Sequence, residues 1–225
     1  MTRVATPEVS VVVPCHNNGR FVAAAIESIL GQSLPVSQIV FVDDRCSDDS
    51  VAEARRVSER IAFVHGRFGS CAAARNAGLA IATGDLIAFL DADDAWPPES
   101  LAARVAVLNE TDAGICYGRV RQTWLDVGAL AKPIGPEMIG RLAGSMLVKR
   151  EVFDLVGEFD ENYRVSEAIE WTARAVDAGI PMASCQDLVL YRRVHERNTM
   201  RVTEGVARLP LRALRTIVAR RASAL

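Results

Sequence analysis

Four short apolar runs, each followed by a segment with helical spacing or by a polar loop, constrain this chain most. The runs cover residues 9–13, 39–42, 61–64 and 86–90. They are rich in β-branched and aromatic residues, and three of the four show no polar alternation, so those strands are apolar on both faces. Between them, Phe21, Ala25 and Ile29, and likewise Val22, Ile26 and Leu30, fall at helical spacing. Ser47 or Asp48 is placed to cap a second helix reaching about residue 57. A third helix is predicted over 70–82, ended by Thr83 and Gly84. Strands alternating with helices make βα units, hence an α/β fold with a mostly parallel central sheet and helices on both faces.

The second half is less regular. A helix is expected after Trp96, Pro97 and Pro98 to about residue 108, and a strand over 113–117. Gly, Pro and Lys then interrupt short apolar pieces over 118–144, which are read as an excursion on the acceptor side. A strand at 145–148, a short helix at 150–156 and a longer one at 167–178, ended by Gly179, complete the pattern. From Arg197 to Arg221 there are seven arginines against one acid, with Leu211, Leu214, Ile217 and Val218 on one side of a helix. That basic amphipathic helix either lies on an anionic membrane surface or docks by its apolar face with the arginines in solvent.

Composition excludes several classes. At 225 residues, 50% hydrophobic and 24% charged, the chain suits one folded domain. A formal net charge of -2 gives no ground for a nucleic-acid partner. Cys15, Cys46, Cys71, Cys116 and Cys185 are odd in number and lack C-x-x-C spacing, so small buried or half-buried hydrophobes in a reduced setting are expected. No stretch shows a secretory leader or approaches the length of a membrane span. The expected location is cytoplasmic, with peripheral contact at the inner face of the membrane through the terminal helix.

Chemistry collects at strand ends, where open α/β sheets bind ligands. The first strand ends in Pro14, His16 and Asn17, the second in Asp43 and Asp44, and the fourth in Asp91, Ala92, Asp93 and Asp94. Five carboxylates in such places repel one another unless a cation sits among them. A hard divalent ion takes oxygen ligands and bridges to phosphates. Helix and turn capping is the competing duty; it suits Asp48 and Asp94 but not the whole acidic turn. Dinucleotide, P-loop and nucleophile-elbow glycine patterns are missing from the sequence. A phosphoaspartyl site would want its aspartate at the first strand, which ends in Val13 and Pro14.

With these stretches in view, the chain resembles the family 2 glycosyltransferases, which have the GT-A nucleotide-sugar-binding fold. The similar segments are 9–17, 42–48, 73–78, 82–94, 148–153, 156–160 and 191–195, in the family's order. The resemblance implies a single domain over 1–225. Within it, 9–110 would bind the nucleotide sugar and 111–200 the acceptor, with the terminal helix over 203–222. It implies that Asp44, with Asp43, reads the nucleotide base, bordered by Pro14, His16 and Asn17. Arg75 would hold the nucleotide side or serve as a structural ion pair. Asp91 and Ala92 would meet the ribose or donor sugar. Asp93, in a DXD motif, would ligate Mn²⁺ or Mg²⁺. His195 would complete the metal ligands, or contact solvent or phosphate instead.

The activity implied is inverting transfer from a nucleoside-diphosphate sugar, with UDP as the expected carrier, to a hydroxyl on a glycan, lipid, peptide or small molecule. A homodimer is compatible with it. Departure of the diphosphate needs a Lewis acid, and the acceptor hydroxyl needs a general base. The family's base comes from a Glu-Asp pair, whereas this chain has Glu167 followed by Ala168. Glu167 and Glu170 are therefore the candidate bases. Glu170 also stands four residues before Arg174, the spacing of a helical ion pair. The departure leaves open a second function, a nucleotide-sugar-binding module with weakened turnover that serves as a partner or scaffold. Trp96, Trp124 and Trp171 admit either a core place or stacking on an acceptor sugar.

Overall fold

Strand β1 (Val9–Cys15) is buried along its whole length, as its unbroken apolar run requires. It lies between β2 (Gln38–Asp44) and β4 (Leu86–Phe89), parallel to both, and β3 (Ala62–Gly66) extends the parallel block beside β2. The computed structural model describes residues 7–124, 132–163 and 166–195. Among these, the remaining strands are β5 (Ile115–Trp124), β6 (Lys132–Pro133), β7 (Met138–Ile139), β8 (Leu147–Lys149) and β9 (Met182–Val194). The sheet runs β3-β2-β1-β4-β8-β5-β6, with β7 and β9 also paired to β5. β8 is antiparallel to β4 and β5, while β9 is parallel to β5. The result is a mixed, mostly parallel sheet.

The two faces are covered by different helices because alternate strand residues point to opposite sides. Val9, Val11, Val13, Phe41 and Ala88 pack with α1 (Gly19–Leu30), α2 (Ser50–Val57) and α4 (Ser100–Glu110). Val12, Val40, Val42, Ile87 and Phe89 pack with α3 (Cys71–Leu79), α5 (Arg150–Val156) and α6 (Glu167–Asp177). Close approach of α3 depends on Gly78, where a Cβ would stand 2.3 Å from Val12 Cγ1 and 2.9 Å from Val42 Cγ2.

The structure departs from the sequence expectations mainly in the second half. β5 continues to Trp124, through residues read as irregular. β9, thirteen residues long, was not foreseen. Its register on β5 shifts twice, between Tyr117 and Val120, and it is only partly buried. It has one short apolar run, Leu188 to Tyr191, set between polar residues, and no clean alternation. The third helix stops at Leu79, and Ala143–Ser145 is a 3-10 turn ahead of β8. Trp171 and Trp96 are core residues: their indole N–H groups donate to Gly157 O at 2.7 Å and Gly144 O at 2.9 Å. The basic helix expected over 203–222 lies outside the described residues, and no described helix is long and apolar enough to cross a membrane.

Candidate active site

The ends of β1 and β2 are neighbours, with Cys15 opposite Asp43, so their loops meet. His16 Nδ1 donates to Asp44 O at 2.5 Å, and Asn17 Oδ1 accepts from Ser47 N at 2.8 Å. Asn17 adopts a left-handed backbone, φ 56°, which asparagine tolerates better than most residues. The Asp44 carboxylate accepts the backbone N–H groups of Phe68 at 2.7 Å and Gly69 at 2.8 Å, which fixes it against the cavity wall. Asp43 is occupied differently. Its oxygens accept from Cys46 N at 2.7 Å and His65 Nδ1 at 2.9 Å. Burial alone would raise the Asp43 carboxyl, but the bonds from His65 and Cys46 outweigh it and hold the group below its ordinary value. Asp43 therefore braces the loop and does not line the cavity.

The acidic turn follows β4. Asp94 N–H donates to Asp91 O at 2.9 Å, closing the turn. Candidate ligand atoms of Asp91, Asp93 and Asp94 lie within 4.8 Å of one another. An antiparallel bridge between Ala95 and Tyr191 draws the end of β9 onto this turn. It brings His195, 102 residues distant in sequence, to donate from Nε2 to Asp93 Oδ2 at 3.1 Å. The His195 ring also stacks on Phe21, centroids 4.8 Å apart. Burial, then the charges of Asp93 and Asp91, push Asp94 well above the ordinary carboxyl value, although Arg193 N–H donates to it at 2.8 Å. Clustered oxygen donors beside an imidazole are a donor set that fits a hard divalent cation.

Arg75 spans the floor. Its guanidinium donates to Asp91 through Nη2 and to Glu167 through Nη1. The buried Nε has no hydrogen-bond partner among the described residues. Burial opposes the Arg75 charge, but Asp91 and Glu167 outweigh it and raise its pKa. Asn76, next in α3, pins the segment before α6: its side chain exchanges bonds of 2.9 and 3.0 Å with the Phe159 backbone. This attaches the wall carrying Glu167 to the helix carrying Arg75.

These groups enclose one cavity of about 570 Å³. Pro14, His16, Asn17, Asp44, Arg75, Asp91, Ala92, Asp93 and Glu167 all line it, along with Ala168. His195 stands behind Asp93, outside the lining. Glu170 is not at the cavity; it is buried and pairs with Arg174, whose Nε lies 3.0 Å from Glu170 Oε2. Arg174 also donates to Val156 O and Glu158 O, each at 2.6 Å, so the pair belongs to the packing beneath α6. Sequence reasoning missed Cys71, Arg141 and Arg192, which are among the further residues lining the cavity. Arg192 lies in a stretch already singled out, while Arg141 had no local signal because the excursion around it lacks regular patterning.

Known proteins similar to this chain are glycosyltransferases. An uncharacterized glycosyltransferase of Nostoc sp. is 36% identical over 109 residues, covering 47% of this chain and 34% of that protein. Among solved structures, TarS 1-349 of S. aureus in complex with UDP-GlcNAc has a TM-score of 0.72 at 17% identity, covering 94% of this chain and 66% of the other. The mannosyltransferase PcManGT of Pyrobaculum calidifontis, in complex with GDP-Man and Mn²⁺, has a TM-score of 0.72 at 20% identity over 94% of this chain and 65% of its own. At those identities the likeness shows the fold, a GT-A fold. The chain spans about a third of the Nostoc relative and just under two thirds of these two structures. The family model for Glycosyl transferase family 2 matches residues 10–159, more than half of the sequence, and the chain belongs to that family.

Proposed function

We propose that this chain transfers a sugar, with inversion, from a nucleoside-diphosphate sugar to a hydroxyl acceptor, with UDP as the expected carrier. The observation that carries the proposal is the meeting of Asp44, Arg75, the acidic turn and Glu167 in one cavity beyond the ends of parallel strands. Asp44 has lone pairs left beyond its two backbone donors, so it is suited to accept a ring N–H of the base. Asp91 is placed for the ribose or donor sugar. Asp93, with Asp91, Asp94 and His195 around it, would hold Mn²⁺ or Mg²⁺. Such an ion supplies Lewis-acid stabilisation of the departing diphosphate.

Glu167, on the facing wall, is the carboxylate available to take the acceptor proton. As the acceptor oxygen bonds to the anomeric carbon, the bond from that carbon to the diphosphate breaks and its electron pair leaves with the phosphate oxygen. For Glu167 to act as base, Arg75 must release it, and the arrival of diphosphate charge provides a competing partner for the guanidinium. One observation favours the second function, a binding module with weakened turnover. Ala168 lines the wall where the family resemblance places an aspartate, and Glu167 is engaged by Arg75.

The test is a thermal-shift screen of UDP-, GDP- and TDP-sugars with and without Mn²⁺, followed by donor hydrolysis. A UDP-sugar should raise the melting temperature in a Mn²⁺-dependent way, and Asp93→Ala should abolish that dependence. No stabilisation by any nucleotide, with Mn²⁺ immaterial, would sink the donor-site assignment. Binding without turnover on any acceptor would favour the second function.

A further inference from the structure

The five cysteines were expected to be small buried or half-buried hydrophobes, and two of them face each other beside the nucleoside end of the cavity. Cys15 ends β1 and lines the cavity. Cys46 sits in the loop after β2, beyond Arg45, whose left-handed backbone (φ 57°) turns the chain back. The two Sγ atoms are 3.7 Å apart. A disulfide requires about 2.05 Å, so bonding needs an approach of roughly 1.6 Å between two loops that already touch. We propose that Cys15 and Cys46 form a disulfide on oxidation, clamping together the loops that carry His16, Asn17 and Asp44.

The surroundings suit that chemistry. Cys46 is half-buried and so accessible to a small oxidant, while Cys15 is buried. The Cys15 thiol and the Asn17 N–H, 3.4 Å from Cys46 Sγ, lower the Cys46 thiol below its ordinary value against the effect of burial. Cys46 is then the attacking thiol and Cys15 the resolving one. With a peroxide as oxidant, the Cys46 thiolate takes one peroxide oxygen, forming a sulfenic acid and releasing water or an alcohol. Cys15 then displaces hydroxide from that sulfur, which leaves as water with the Cys15 proton. Two thiols are oxidised and one peroxide is reduced.

Cys116 and Cys185 also contact each other, and Cys116 lowers the Cys185 thiol to about 7. Both members of that pair, however, are buried in the core around β5 and β9, whereas Cys46 is half-buried. Bonding would shift the Cys46 Sγ that accepts the Asn17 N–H at 3.4 Å, and with it the loop on which Asp43 and Cys46 are joined. The effect on nucleotide binding rests on the proposed function; disulfide formation does not.

The experiment exposes the reduced full chain to hydrogen peroxide at low equivalents. Intact mass and non-reducing peptide mapping follow, with UDP binding measured by calorimetry before and after. A loss of two hydrogens mapped to Cys15–Cys46, reversible by dithiothreitol and absent in Cys46→Ser, is the expected result. UDP binding should weaken about fivefold, the scale of one hydrogen bond. Should Cys46→Ser fail to fold, Cys46→Ala serves as the control. A linkage mapped to any other pair, or stable sulfenic acid without linkage, overturns the disulfide, and unchanged UDP affinity after linkage overturns its effect on the binding loops. If reduced protein binds no UDP, the donor-site assignment fails, and the mapped linkage alone decides the disulfide.

Discussion

Arg75 is the residue on which the site turns, because its one buried guanidinium serves carboxylates from both halves of the chain. Asp91 comes from the end of β4 and Glu167 from the start of α6. Without Arg75 these acids would face each other across a partly dry cavity, an arrangement that opposes ionisation. Glu167→Gln keeps the volume and the hydrogen-bond reach while removing the basic oxygen. Transfer should fall by about 10²–10⁴-fold, the usual worth of a positioned base, with UDP affinity kept. An unchanged transfer rate in a direct sugar-transfer assay would remove Glu167 from the chemistry. Position and type of residue were legible here: Asp44, Arg75, Asp91, Asp93 and Glu167 were all singled out and all line the cavity. Engagement was legible only in part. The i,i+4 spacing of Glu170 and Arg174 already offered the ion pair that keeps Glu170 from the cavity, whereas nothing near Asp43 in the sequence pointed to His65. The His65 contact is set by packing of β2 against β3, which local pattern does not encode.

Among the elements, α1 and α2 share a single cap. Asp48 Oδ2 accepts from Gly19 N at 2.9 Å, at the start of α1, and Oδ1 accepts from Ser50 N at 3.0 Å, at the start of α2. A cap for α2 was expected from Ser47 or Asp48, and Asp48 supplies it although Asp49 is the residue next to the helix. Service to α1 could not be foreseen, since it crosses 29 residues of sequence. Asp48→Ala should therefore lower stability by about 1–2 kcal/mol, measured by urea unfolding. Burial acts to raise the Asp48 carboxyl, but bonds from Ser50 and Gly19 hold it below 3.8. A depressed folded value means stability present above the unfolded value and lost as pH falls through the folded one. The wild type should lose melting temperature below about pH 4, and Asp48→Asn should flatten that acid limb. An identical acid limb in the variant would show that the two caps contribute nothing to it.

At the scale of the whole molecule, the two halves are joined by an aromatic cluster in which Phe89 of β4 meets Phe153 and Phe159, and these in turn pack on Trp171. Trp171 is fully buried on α6, stacks on Phe153 at 4.6 Å between centroids, and lies 5.8 Å from Phe159. Trp171→Ala should cost about 3–5 kcal/mol in urea unfolding. Because α6 carries Glu167 into the cavity, the same variant should lose transfer activity before it loses UDP binding. Equal loss of both would mean that α6 and the β1–β4 block respond as one body. The sequence by itself determined the βα alternation, the buried parallel strands and the acids at their ends. Those properties follow from local periodicity and from the one-dimensional order of strand, loop and helix. Only the tertiary structure decided that β9 lies along β5, that His195 reaches Asp93, and that Arg75 joins Asp91 to Glu167. Each depends on pairing between segments distant in sequence. There the burial of shared apolar surface and the satisfaction of backbone groups select the partner, and no short window of residues contains that information.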